Sequence, residues 1–225
     1  MNLNPNYEQL AKLKTDRIDY YLVHALNSEL WEAAKNKGVI DFLEDALKQG
    51  RIVNAGFSFH GPAEEFQPII DDYDWTFCQI QYNFLDTRNQ AGTPGLKYAA
   101  SKDLAVMIME PLRGGNLAKT PPPSVKRIWN KADQKRPPVD WSLSWIWNHP
   151  EVTVILSGMN DNDDISENIS LASQCKDCGK CVDDCPQGLT IPDLLEAVAD
   201  DMEGWMTKPM IWMGKRIMRV KKNAP

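Results

Sequence analysis

Four cysteines lie close together in the last quarter of the chain, with the spacing expected of ligands to one inorganic cluster. They follow the pattern C-x2-C-x2-C-x3-C-P and are Cys175, Cys178, Cys181 and Cys185. Close, regular spacing lets a short loop wrap four thiolates around one cubane. A structural zinc site more often separates two cysteine pairs by a longer stretch, and clustered cysteines are not the scattered pattern of a secreted disulfide scaffold. The spacing therefore predicts a [4Fe–4S] cluster.

The fourth ligand of this cluster is open to more than one interpretation. In proteins with two clusters, the last cysteine of such a run ligates the other cluster, and this chain has no second run. Cys185 therefore either folds back onto the same cluster or leaves the position to Cys78, to a non-cysteine ligand or to a partner chain. We favour a single centre that all four clustered cysteines hold.

Five apolar segments place a second set of polar residues. The segments are IDYYLVHAL (18–26), VNAGFSFH (53–60), FCQIQYNFL (77–85), AVMIMEPL (105–112) and VTVILSGM (152–159). Nearly continuous apolar runs are typical of parallel strands covered on both faces, and the helical patterns between them predict right-handed βαβ units. In such sheets functional groups collect at the carboxyl ends of the strands. These ends carry His24, Ser58 with His60, Gln79 with Asn83, Glu110 with Arg113, and Ser157 with Gly158.

Composition sets the broad class. The chain has 225 residues, of which 43% are hydrophobic and 25% charged, as in a globular domain with a core rather than a disordered or fibrous chain. A net charge of −6 gives no general attraction to nucleic acid. No apolar run approaches the roughly 20 residues of a membrane span, and the first residues lack a signal-peptide pattern. The sequence therefore predicts a cytoplasmic location.

The chain is predicted to comprise three regions. Residues 1–172 carry the strand and helix patterns, residues 173–204 carry the cysteine cluster, and residues 205–225 form a tail rich in Trp and Met. After Glu203 the chain has six basic residues and no acidic ones. We expect this tail to pack its aromatic residues on the rest of the protein, and an anionic membrane surface is the alternative.

Taken in order, the five segments resemble the later strands of the aldo/keto reductases. The run CPQGLTIP (185–192) resembles, more narrowly, the branch of that family with a C-terminal ferredoxin-type segment. The resemblance covers most of residues 7–196. It implies an α/β fold of the (β/α)8 TIM-barrel type, incomplete with about five of eight β/α units, and a small α-helical ferredoxin-like segment. The activity it implies is hydride transfer between NAD or NADP and a small-molecule carbonyl compound.

The resemblance also implies roles for individual residues. His24 would orient the substrate carbonyl, Ser58 and Gln79 would bind the nicotinamide carboxamide, and Met109 would lie against the nicotinamide ring. Leu112, Arg113 and Gly114 would lie beside the pyrophosphate. Ser157, Gly158 and Met159 would form the phosphate loop. Glu167 and Asn168 would lie near the adenine. Asp163 and Asp164 would repel a 2′-phosphate, which favours NAD(H).

The chain departs from the family pattern in its catalytic residues. The family's Tyr, Lys and Asp lie on the first three strands, and this sequence begins just before the fourth, so only His24 of the four catalytic positions is present. We expect a partner chain or an N-terminal segment to complete the barrel. The function predicted is a nicotinamide-dependent oxidoreductase with an iron–sulfur cluster, which acts on a carbonyl compound or a redox partner protein. The alternatives are a non-catalytic iron–sulfur electron-transfer or interaction module on a truncated barrel, and a truncated product with no function of its own.

Overall fold

Five parallel strands that pair in chain order form the sheet. The computed structural model describes residues 5–132, 135–159 and 162–174. The strands, which lie in the order in which the chain forms them, are β1 (Ile18–Leu26), β2 (Ile52–Phe59), β3 (Phe77–Gln81), β4 (Ala105–Met109) and β5 (Val152–Ile155). All four pairings are parallel. The predicted strands and their parallel arrangement are therefore confirmed.

The last three strands are shorter than their apolar runs. After β3, the chain turns at Tyr82–Leu85, where the Asn83 side chain accepts a hydrogen bond from the Leu85 N–H at 3.0 Å. Tyr82, Phe84 and Leu85 are nevertheless buried. The apolar run continues past the strand because the turn itself is buried, and hydrophobicity alone does not mark where pairing stops.

Helices fill the connections between the strands. They are α1 (Pro5–Leu13), α2 (Ser28–Asn36), α3 (Val39–Lys48), α4 (Phe66–Asp71), α5 (Gly92–Ser101), α6 (Pro123–Trp129), α7 (Pro138–Trp147) and α8 (Asn162–Gln174). The chain divides into two compact units. In the described ranges, the first unit contains the five strands with α1 to α5 (5–82, 86–111 and 149–159). The second contains α6 to α8 (83–85, 112–132, 135–148 and 162–174).

Local sequence signals explain how α2 and α3 begin. The Asn27 side chain accepts a hydrogen bond from the Leu30 N–H at 2.8 Å and so caps the start of α2. Gly38, at φ +79, lies between the two helices in the left-handed region that glycine favours. In α3, Leu43 and Ala46 lie on one side of the helix, and both are buried.

One face of the sheet is covered by helices and holds the core of the first unit. This helix-covered face carries Phe57, Phe59, Cys78, Ile80, Val106 and Ile108, all of which are buried. The ring of Phe57 lies 6.0 Å from that of Phe66 in α4 and 4.9 Å from that of Trp75. Interlocked aromatic rings of this kind add to the free energy gained by removing apolar area from water.

The opposite face combines aromatic packing with polar side chains. At the start of the strands, Gly56 leaves room for the ring of Phe77, since a Cβ on Gly56 would lie 2.5 Å from that ring. The Phe77 ring also contacts that of Tyr20 edge-on, with centroids 5.5 Å apart. Towards the strand ends the same face carries Ser58, Gln79, Gln81, Met107 and Met109. We call this set the polar face.

The second unit packs around the indoles of α6 and α7. The rings of Trp129 and Trp141 are stacked nearly parallel, with centroids 6.1 Å apart and 16° between their planes. In α7 the Ser144 hydroxyl donates to the Asp140 carboxylate at 2.8 Å, and Arg136 donates to the same carboxylate oxygen at 3.2 Å. The buried Asp140 carboxylate is thus bonded by two side chains, each four residues away along the chain.

Candidate functional site

The residues predicted at the ends of β1 to β4 meet along the polar face. Ser58 pairs in register with Gln79, Gln79 pairs with Met107, and Gln81 pairs with Met109. The Gln79 Nε2 donates to the Met109 Sδ at 3.3 Å. Ser58, Gln79 and Met109 therefore form a diagonal row across β2, β3 and β4, in which Met109 lies two residues beyond Met107, the register partner of Gln79.

A bulge at the end of β1 lies beside Ser58, one residue after His24. The pairing of β1 with β2 shifts between Val23 and Leu26, and Ala25 has a φ of +57. The Ser58 hydroxyl accepts a hydrogen bond from the Ala25 N–H at 2.7 Å, and Ser58 is only 1% exposed. A non-glycine residue in the left-handed region is strained, and this buried bond holds it in place. His24, the residue before Ala25, is exposed at the strand end.

Gln79 keeps a polar group available for a ligand. Its side chain is half-buried, and the only hydrogen bond it makes to a described residue is the weak one to the Met109 sulfur. The amide oxygen of Gln79 therefore accepts no hydrogen bond from the described part of the chain. An amide that offers both a donor and an acceptor matches the polar groups of another amide.

Next to this row lies a polar network that the sequence analysis missed. The Gln81 Nε2 donates to the Asp86 carboxylate at 3.0 Å, and the Gln90 Nε2 donates to the Gln81 Oε1 at 2.9 Å. Asp86 is buried. The alternation Gln79-Ile80-Gln81 was the available signal, since residues two apart on a strand share a face. No sequence pattern marked Asp86, which lies in the loop before α5.

The end of β5 lies beside β4 in the first unit. The Leu156 N–H donates to the Ile108 carbonyl at 2.8 Å, which extends the pairing of these strands past the last strand residue. Ser157 follows and is half-buried, whereas Gly158 and Met159 are exposed. The structure thus places the predicted phosphate-loop residues directly after the end of β5.

The remaining predicted residues belong to the second unit. Arg113, Gly114 and Gly115 are three consecutive residues with positive φ, at +50, +62 and +79. The Asn116 side chain donates to the Arg113 carbonyl at 3.0 Å and closes this turn, which follows Leu112. Glu167 and Asn168 lie in the middle of α8.

A buried tyrosine in the first unit was also not predicted as a polar centre. The Tyr82 hydroxyl lies 2.8 Å from the Thr93 hydroxyl and 3.2 Å from the His149 Nε2. Burial raises the pKa of Tyr82 to about 12, against the opposing effect of the Thr93 hydrogen bond. Because Tyr82 is fully buried, it holds the loop after β3 in place and does not face a substrate.

The metal ligands predicted from the sequence lie outside the described residues. This applies to Cys175, Cys178, Cys181 and Cys185, and to the proposed segments 173–204 and 205–225 beyond Gln174. Within the described ranges, no group of three or more His, Cys, Asp or Glu side chains is placed to hold a metal ion. Cys78 lies at 0% exposure on the helix-covered face, and burial raises the pKa of its thiol to about 12. Its place in the sheet core, on the helix-covered face, argues against Cys78 as the fourth ligand.

Fold and sequence together define the class of protein. Parallel β/α units with polar groups at the strand ends are the architecture of α/β-barrel enzymes. The model of the aldo/keto reductase family matches residues 6–177. The chain therefore belongs to the aldo/keto reductase family. No curated protein matches the sequence.

Solved structures show the same fold at low sequence identity. The aldo-keto reductase AKR11C1 from Bacillus halodurans, in its holo form, has a TM-score of 0.62 at 18% identity, over 74% of this chain and 59% of that one. An aldo-keto reductase from Klebsiella pneumoniae in complex with NADPH has a TM-score of 0.54 at 20% identity, over 74% and 57%. This chain thus spans about 60% of the length of these proteins and forms part of a TIM-barrel-like fold. Within the residues described, no helix is both long and apolar enough to cross a membrane.

Proposed function

We propose that this chain binds a nicotinamide nucleotide and takes part in reduction of a small-molecule carbonyl compound. The observation that carries the proposal is the row His24, Ser58, Gln79 and Met109 at adjacent strand ends. Family membership supports the reaction class, and the Klebsiella pneumoniae relative was crystallised with NADPH.

The row fits a nicotinamide carboxamide. The Ser58 hydroxyl accepts from the Ala25 N–H and retains its own proton to donate, and the Gln79 amide oxygen is available to accept. One carboxamide needs one donor and at least one acceptor, which these two side chains supply. When bound, the reduced nicotinamide supplies the hydride. His24, which is exposed at the end of β1, would hydrogen-bond the carbonyl oxygen of a substrate.

Two acidic residues affect whether the chain would prefer NAD(H) or NADP(H). Asp163 and Asp164 lie in the first turn of α8 and are exposed. Their charge would repel the 2′-phosphate of NADP(H) more than the 2′-hydroxyl of NAD(H). We therefore propose NAD(H) as the preferred nucleotide, although the Klebsiella pneumoniae protein holds NADPH.

The proposal includes a [4Fe–4S] cluster held by Cys175, Cys178, Cys181 and Cys185. The spacing of these thiols is the support for it. A cytoplasmic location is consistent with the cluster, because a reducing compartment keeps the cysteines as thiols. The barrel would be completed by a further segment of the same polypeptide or by a partner chain, which would also supply the acid that protonates the alkoxide. Absence of that acid costs about 10²–10⁴-fold in rate.

Titration calorimetry of the full chain with NADH and NADPH tests the nucleotide site. We expect saturable binding that is weakened about tenfold in Gln79→Ala, because the hydrogen bond from the carboxamide to the Gln79 oxygen is lost. Gln49→Ala is the matched control, since Gln49 is exposed at the end of α3. Equal affinity in both variants, or no binding of either nucleotide, would contradict the proposal. A chain that holds a reducible cluster but binds no nucleotide would instead be an iron–sulfur module.

Iron and acid-labile sulfide analysis of anaerobically purified protein tests the cluster. We expect about four of each per chain, in keeping with a cubane. Cys178→Ser should lose iron, whereas Cys78→Ala should retain it because Cys78 lies in the sheet core. Zinc in place of iron would contradict the cluster.

A further inference from the structure

The second unit contains a pocket that the proposed nucleotide site does not use. It has a volume of about 250 Å³ and is lined by residues of α6, α7 and the loops next to them. The lining residues that matter here are Lys126, Trp129, Lys135, Arg136 and Trp141. All of them belong to the second unit.

The strongest sign of a ligand in this pocket is an unused hydrogen-bond donor. Only 9% of Trp129 is exposed, and its Nε1 is buried with no acceptor in the described part of the chain. A buried donor without a partner costs about 1–3 kcal/mol. Two indoles of the first unit have the acceptor that a buried indole N–H normally finds. Trp31 donates to Asp72 at 2.7 Å, and Trp75 donates to the Ile69 carbonyl at 2.9 Å. An acceptor supplied by a ligand would complete Trp129 in the same way.

The charges around the pocket indicate that this acceptor is anionic. Among the described lining residues, three are basic and none is acidic. Lys135 donates to two neutral backbone carbonyls, those of Asn130 and Ala132, both at 2.7 Å, and forms no ion pair with a described residue. Lys126 makes no ion pair with any described residue. Arg136 bonds Asp140, which leaves the two lysines as the excess positive charge.

The apolar part of the lining indicates that the ligand also has a flat apolar body. Two prolines, Pro121 and Pro138, and the stacked indoles of Trp129 and Trp141 form the rest of the wall. Arg136 lies over the Trp141 ring, 5.8 Å from its centroid, so one cation already packs on the aromatic surface. The volume is below the range of about 300–1,000 Å³ typical of drug-sized ligands.

From this geometry we infer that the pocket between α6 and α7 binds a small aromatic carboxylate. The carboxylate would pair with Lys126, and the ring would lie on the apolar wall. The Trp129 Nε1 has almost no accessible surface in this structure, so the indole would turn to donate its hydrogen bond to the carboxylate. This inference does not depend on the proposed nucleotide site, and either proposal can fail without affecting the other.

Benzoate is the probe, and benzamide is its neutral counterpart with nearly the same shape. Ligand titration is followed by the indole N–H signals of 15N-labelled full chain. The eight tryptophans give eight such signals, and the signal absent from Trp129→Phe identifies Trp129. We expect benzoate to shift that signal saturably, and benzamide to bind about tenfold more weakly because it has no charge. Equal binding of the two compounds, or a Trp129 signal that does not move, would overturn the inference.

Variants of two neighbouring lysines separate a built site from general attraction to positive charge. Lys126→Met should weaken benzoate binding about tenfold. Lys131→Met removes the same charge from an exposed residue of the same region that does not line the pocket, and should leave binding unchanged. Equal losses in both variants would overturn the inference. Thermal unfolding of each variant shows whether the fold is retained. If Lys126→Met does not fold, Trp129→Phe replaces it. This variant keeps an aromatic ring but loses the donor, and it should weaken binding about fivefold.

Inorganic phosphate serves as a second probe. If phosphate displaces benzoate at equal concentration, the pocket selects charge alone and the aromatic part of the inference is wrong. If benzoate binds and phosphate does not compete, the apolar wall contributes as inferred.

Discussion

The two faces of the sheet in the first unit differ in how completely their side chains are buried. On the helix-covered face, Phe57, Cys78 and Val106 stand in register and are fully buried by apolar neighbours. One residue further along, Ser58, Gln79 and Met107 stand in register on the polar face, where Gln79 and Met107 remain half-exposed. The same strands therefore supply the apolar core on one side and, on the other, the polar groups of the proposed nucleotide site. Variants on the two faces should separate accordingly.

The largest effect on stability is expected from Phe57→Ala on the helix-covered face. The ring packs against Phe66 and Trp75 at 0% exposure, and its removal should lower the free energy of unfolding by about 3–5 kcal/mol. Urea unfolding measures the change. Gln79→Ala, on the other face, should cost less than about 1 kcal/mol. Similar losses in the two variants would remove the distinction between the faces.

Gly56→Ala should give the next largest effect. The added Cβ would lie 2.5 Å from the Phe77 ring, which must move away from Tyr20. Overpacking of this kind costs about 1–3 kcal/mol. In a Phe77→Leu background the same substitution should cost clearly less, and the double-mutant cycle measures this coupling. Additive losses would show that the ring is not what excludes a side chain at Gly56.

Ser58→Ala should destabilise the protein and weaken nucleotide binding together. The Ala25 N–H would lose its acceptor, at a cost of about 1–2 kcal/mol. Ala25→Gly is the matched variant, because glycine tolerates the φ of +57 and should not lower stability. Urea unfolding and nucleotide titration are the two measurements. If Ser58→Ala binds nucleotide normally, Ser58 serves only to hold the bulge.

Cys78 gives the smallest effect at neutral pH, and its effect increases in alkali. The pKa of its thiol rises from an ordinary 9.0 to about 12 on burial. The unfolded chain then loses this proton first, so stability present below pH 9 is lost as pH rises towards 12, at about 1.4 kcal/mol per pH unit. Tyr82 adds the same trend from about pH 10. Between pH 8.5 and 10, Cys78→Ala should flatten the pH dependence of unfolding, whereas Cys178→Ser should not.

The strands were predictable from the sequence, and the features that complete the site were not. Apolar runs located β1 to β5, and parallel topology then placed Ser58, Gln79 and Met109 together. The bulge at Ala25 was not predictable, because it depends on a bond to Ser58, 33 residues away. Asp86 was missed because a carboxylate in a loop is normally exposed, and its hydrogen bond from the Gln81 amide depends on how the chain folds.

The pocket of the second unit shows the same limit. Trp129 and Trp141 are twelve residues apart in a stretch with several prolines, and the sequence indicated only a loop and a helix. Their stacking, and the position of Lys126 beside them, follow from how α6 and α7 fold together. Patterns of residue type identify elements, but a site made by the packing of two helices becomes visible only in three dimensions.

The order of the strands has a consequence for how the protein is made. Each described strand pairs with the next strand along the chain, so no pairing in the described sheet skips an intervening strand. Each parallel pairing must still wait for the connecting helix, which makes it slower to form than a hairpin. During translation the sheet can therefore grow by one β/α unit at a time as the chain leaves the ribosome, with the most recent strand serving as template for its successor.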